Sequence, residues 1–174
     1  MHTRTKYVIF KYSAYVLLMV VLCVMQNTPG LFAIGGIKPM PLIAFAVLLA
    51  MWEGELSGGI LGAVAGFLCD LYGAEKVGYT ALMLFLCCVV VGLLVQSYMR
   101  GNLANAFFFT LGAALVIRGI SFFFSILLPG HPGGLLYLRS TLLPLCIYTA
   151  LWGLLLYYPV GWLYQTFEQY IEIN

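Results

Sequence analysis

The chain has 174 residues, 63% of them hydrophobic and only 8% charged, with a formal net charge of +2. A soluble domain carries about a quarter charged residues, so this composition excludes a water-covered surface and fits a single transmembrane domain over residues 1–174. With 8 basic residues scattered along the chain, a nucleic-acid-binding face is excluded as well.

The first apolar run, near 8–26, follows the basic residues Arg4, Lys6 and Lys11. It outlasts the roughly 7–15 residues of a signal-peptide core and leads into "QNTPG" rather than a small-residue cleavage site. An uncleaved first transmembrane helix is expected. The breakers "NTPG" and "GGIKPMP" follow. The second run, near 40–52, rises about 1.5 Å per residue and covers about two thirds of a hydrocarbon core of about 30 Å. Either it is a half-span or the bilayer thins around it.

Runs near 57–73, 78–98, 103–128 and 141–164 follow, separated by "YGAEKVG", "MRGN" and "LPGHPGG". Their continuous apolar character argues against a β-barrel, whose strands alternate. The expected fold is an all-α integral membrane bundle of six transmembrane helices. Six spans put both ends on one side, with Arg100 beside the basic arm and Lys38, Lys76 and Arg139 opposite. The arm sets the expectation of N-in and C-in. The short loops and the tail "YQTFEQYIEIN" leave no soluble domain for chemistry.

Between the second and third runs begins a ladder of glycines, Gly54, Gly58, Gly62 and Gly66, which ends on Asp70. A step of four turns about 400° on a helix of about 3.6 residues per turn, so these positions form a slowly drifting groove. Helix association in a membrane relies on close backbone approach, which small residues permit. The groove is expected to seat a neighbouring helix, of this chain or of a partner subunit. In the first case the third helix is the close-packed centre of the bundle.

An ionised carboxylate within a span costs several kcal/mol unless paired, and usually faces the bundle interior. The one basic residue well inside a span is Arg118, in "ALVIRGISFF". Counted from their inner ends, Asp70 lies about 20 Å and Arg118 about 23 Å along parallel helices. The matched depth predicts a buried Asp70–Arg118 ion pair. A substrate-coordinating carboxylate or a proton relay are the functional alternatives.

Glu53 and Glu55 read as turn residues near a helix N-terminus, whose dipole favours negative charge, or as cytoplasmic contacts for a basic partner. The cysteines, Cys23, Cys69, Cys87, Cys88 and Cys146, lie in apolar runs without ligand spacing. His2 and His131 stand alone in sequence. No nucleophile elbow, P-loop or HExxH motif occurs. No enzyme activity, cofactor or metal is expected.

The stretch "GAVAGFLCDLYGAEKVGYTAL" resembles the signature of the MreD family of bacterial rod-shape-determining membrane proteins. The matching residues are Gly62, Gly66, Asp70, Leu71, Gly78, Ala81 and Leu82, and "KPMPLIAFAVLLA" is similar to the family's proline-led second helix, with Pro39 or Pro41 in that place. The resemblance spans about residues 38–82. It implies a non-enzymatic scaffold of the cell-elongation complex (elongasome) in the bacterial inner membrane. Such a scaffold binds MreC and links MreB filaments to the peptidoglycan-synthesis proteins RodA and its penicillin-binding partner. The implied fold is similar to substrate-binding subunits of energy-coupling-factor transporters. The alternative function is a vitamin-binding subunit of such a transporter, which needs an outward pocket with several convergent polar groups.

Overall fold

The computed structural model describes residues 2–28, 30, 32, 36–72, 78–97, 102–128 and 134–173. Glu75, Lys76, Arg100 and His131, which entered the sidedness and polar-loop readings, lie outside the described residues. Among the described residues there is no strand. The helices are α1 (His2–Asn27), α2 (Pro41–Glu53), α3 (Glu55–Tyr72), α4 (Tyr79–Ser97), α5 (Leu103–Phe122), α6 (Gly134–Tyr137) and α7 (Leu143–Ile173). A π-helical turn, Phe123–Leu127, extends α5, and a second, Leu138–Leu142, joins α6 to α7. Five of these stretches are long and apolar enough to cross a membrane, and α2 is shorter.

The short α2 sits in the middle. Pro41 through Met51 are all buried, and the helix touches α1, α3, α4, α5 and α7. A helix apolar on every side, as "LIAFAVLLA" is, has no face to offer water and is buried among others. The expectation that α3 is the centre is therefore corrected: α3 packs on one side of α2 and most extensively on α4. Surrounded by protein, α2 has little lipid thickness to match, which relieves the length that a lone span needs.

The helices α1, α2, α3, α4, α5 and α7 run antiparallel in succession, with α6 continuous with α7 through the π-helical turn. The end of α1 meets the start of α2, where the Leu42 amide donates to Gln26 Oε1 at 3.4 Å. The start of α4 meets α5 late in its course, where the Tyr79 hydroxyl donates to the Ile117 carbonyl at 3.0 Å. The starts of α1 and α3 and the ends of α2, α4 and α7 gather at the opposite end.

Gly54 makes the α2–α3 reversal, at φ +86°, a left-handed conformation that side chains with a Cβ rarely adopt. The last helix exceeds its expected bounds of 141–164. Its tail leans on an equally extended α1, with Phe10 against Phe167 and Tyr7 stacked on Tyr170. Local polarity argued for ending the helix, and tertiary contact prolongs it.

The glycine ladder is filled by the chain itself. A Cβ on Gly58 would lie 2.7 Å from Ala50 Cβ, one on Gly62 2.7 Å from Cys88 Sγ, and one on Gly66 2.5 Å from Ala81 Cα. Gly58 thus seats α2, while Gly62 and Gly66 seat α4. Gly92 on α4 returns the favour, its Cβ position lying 2.5 Å from Glu55 Cα. Of the two occupants open to the sequence, the groove holds α2 and α4 and leaves no room there for a partner subunit.

Candidate functional site

Two polar centres stand at opposite ends of the bundle. At the terminal end, Lys11 from α1 reaches Glu53 at the end of α2 at 2.7 Å and Glu168 on α7 at 2.8 Å. The Lys11 and Glu53 side chains are only 4% and 6% exposed, and that of Glu168 is 38% exposed. Tyr15 donates its hydroxyl to Glu53 at 2.8 Å, and the Lys11 ammonium lies 4.6 Å from the centre of the Tyr164 ring. An ion cluster of this kind survives burial because each charge has a partner.

The reading of Glu53 as a turn or contact residue is corrected here: its carboxylate is consumed inside the protein. Glu55 opens α3, and its Oε2 is buried without a hydrogen-bond partner among the described residues. Sequence reasoning used Lys11 only as an orientation signal. Its position inside an apolar run was the available clue that it needed an acid.

At the other end a cavity of about 310 Å³ opens between α1, α2, α3, α4 and α5. Gln26 and Asn27 line it from α1, Lys38, Pro39 and Met40 from the approach to α2, and Asp70 and Tyr72 from α3. Thr80 closes it from α4, and Ile117 and Arg118 from α5. The depth argument thus brings Asp70 and Arg118 to one cavity, as expected, but the ion pair is not formed.

The 4%-exposed Asp70 instead receives three backbone amides at the start of α4. Its Oδ2 accepts from Gly78 at 2.8 Å and Ala81 at 3.2 Å, and its Oδ1 from Thr80 at 3.2 Å. The first amides of a helix have no intrahelical acceptor and carry a partial positive charge, so they compensate a carboxylate as a cation would. The Arg118 Nε and Nη2 lie 3.3 and 2.9 Å from Met40 Sδ.

Asp70 therefore locks the α3–α4 hairpin. Asp70→Ala is expected to lower stability by about 1–2 kcal/mol through loss of this cap, read as a fall in Tm of the detergent-purified protein. Asp70→Asn, which keeps one acceptor oxygen, should fall between the two. An unchanged Tm for Asp70→Ala would show that the cap contributes nothing.

Among the described residues no three His, Cys, Asp or Glu side chains come together to hold a metal ion. The five thiols are unbridged. Comparison of the chain with protein-family models, with curated proteins and with solved structures finds no match.

Proposed function

We infer that the chain is a non-enzymatic membrane scaffold of the MreD type, serving bacterial cell elongation. The observation that carries this is the α3–α4 hairpin. Gly62 and Gly66 lie against α4, Gly66 on Ala81 itself, and Asp70 holds the amides of Gly78 and Ala81. Five of the seven spaced residues of the resemblance, Gly62, Gly66, Asp70, Gly78 and Ala81, thus belong to one interlocked unit, while Leu71 and Leu82 are exposed. In this reading all six apolar helices cross the bacterial inner membrane, α2 shielded by the other five, with both termini in the cytoplasm. MreC is the direct partner. MreB, RodA and the penicillin-binding partner are complex members.

One observation favours the second reading, a vitamin-binding subunit of an energy-coupling-factor-type transporter. The cavity beside Arg118 gathers several polar groups, and Asp70 and Arg118 do not cancel each other there. A pull-down from native membranes separates the two. The scaffold is expected to recover MreC together with RodA and its penicillin-binding partner. Recovery of an ATPase module instead would replace it with the transporter subunit, and recovery of neither would reject both.

A further inference from the structure

The end of α7 is held differently from the rest of the helix. Up to Tyr164 it lies against the end of α2: a Cβ on Gly161 would be 3.1 Å from Trp52 Cζ2, and the Tyr164 and Trp52 rings are 5.5 Å apart. Beyond that point α2 has ended. The arm 165–173 continues beside α1. The Phe167 ring centre lies 5.9 Å from that of Phe10 and 6.5 Å from that of Tyr15, and Tyr170 lies 6.3 Å from Tyr7. Gln165, Gln169 and Tyr170 are exposed. Thr166 sits at the root of the arm and donates its hydroxyl to the Trp162 carbonyl at 2.8 Å, a back-bond that slightly destabilises and bends helices.

Among the described side chains of the arm, Glu168 supplies the charge, binding Lys11 at 2.8 Å. Lys11 does not depend on it. Glu53 pairs with the same ammonium at 2.7 Å from the end of α2, and the Tyr164 ring lies beneath it. Two carboxylates thus share one cation, and like charges gathered at one site disfavour each other. The Glu53 side chain is 6% exposed and that of Glu168 38%. Glu168 is therefore the acid that regains water at little cost when it leaves, since a part-exposed ion pair contributes little. An element held this way belongs to the low-stability end of a fold, where local opening begins. Once off α1, so short a stretch of helix has little to keep it wound.

We propose that the arm 165–173 is a releasable latch on the terminal end of the bundle. When it is closed, Phe167 and Glu168 lie over Tyr15 and the Lys11–Glu53 pair. When it is open, Lys11 stays with Glu53, Glu168 is hydrated, and Phe10, Lys11 and Tyr15 come within reach from outside. The two acids compete for one ammonium, and the balance between them sets how often the latch opens. The latch depends on neither function above.

The test is amide hydrogen exchange of the full chain in an uncharged detergent, read by mass spectrometry. In Glu168→Gln the amides of 165–173 are expected to exchange about three- to fivefold faster, the size of a part-exposed ion pair, while those of 143–164 keep the parental rate. In Glu53→Gln the ammonium is left to Glu168 alone, so the arm should exchange more slowly than in the parent. A fixed strut gives no such opposite signs, because loss of either acid would loosen it. Added salt should speed the arm in the parent and leave Glu168→Gln unaffected. Parental exchange of the arm in Glu168→Gln, or an acceleration that spreads evenly through 143–164, overturns the latch. A faster arm in Glu53→Gln with 143–164 unchanged overturns it too. If Glu53→Gln loosens the whole chain, Glu168→Gln and the salt series decide.

Discussion

Lys11→Met by itself is expected to destabilise the protein by about 3–5 kcal/mol, the cost of leaving a buried charge without its partner. The variant strands Glu53, whose side chain is 6% exposed, with the Tyr15 hydroxyl as its one remaining donor among the described residues. For a chain of this size the fall in Tm is on the order of 10 °C. Glu53→Leu alone strands Lys11 less severely, because Glu168 still holds the ammonium at 2.8 Å. The double variant Lys11→Met/Glu53→Leu removes both charges and keeps the volume, and such replacements are often neutral or stabilising. Its Tm should return to within a few degrees of the parent. A parental Tm for Lys11→Met, measured by scanning fluorimetry in detergent, would show that the cluster is not sealed from water.

Gly66→Ala should cost about 1–3 kcal/mol, the usual range for forcing extra atoms into a packed interior. The added Cβ would sit 2.5 Å from Ala81 Cα and 2.7 Å from Thr80 O. Both are backbone atoms, so no side chain can swing aside. The displacement would also pull the Thr80 and Ala81 amides away from Asp70, which couples this substitution to the α4 cap. Gly112→Ala is the control. Nothing lies within 4 Å of its Cβ position, and alanine in a helix gains roughly 0.5–1 kcal/mol over glycine. The expected order of Tm is Gly112→Ala at or above the parent, with Gly66→Ala well below. Equal values for the two would remove the packing explanation for the ladder.

Much of this architecture is readable along the chain. Apolar runs bounded by Gly and Pro clusters mark the helices, because a span needs length and apolarity and little else. The glycine step of four marks a contact groove, since only close backbones require it. The depth count brought Asp70 and Arg118 to one cavity, because rise per residue is constant in a helix. The count fails at the pairing itself: it measures height along a helix and says nothing of which way a side chain points, or that a helix start would supply amides in place of a guanidinium. The length of α7 was missed for a related reason, since its polar tail is held by α1.

Composition alone dictates that these residues form helices suited to a membrane, because eight per cent charge offers water too little to hydrate. The order of the residues also marks where helices approach closely, at Gly58, Gly62 and Gly66, whereas Gly54, the first of the ladder, serves the turn before α3. Which acid meets which base depended on folding. Lys11 and Glu168 are separated by 157 positions, and only the antiparallel course of α1 and α7 brings them together. The central place of α2 and the hollow beside Arg118 arise in the same way, from how five other elements close around a helix too short to reach across unaided.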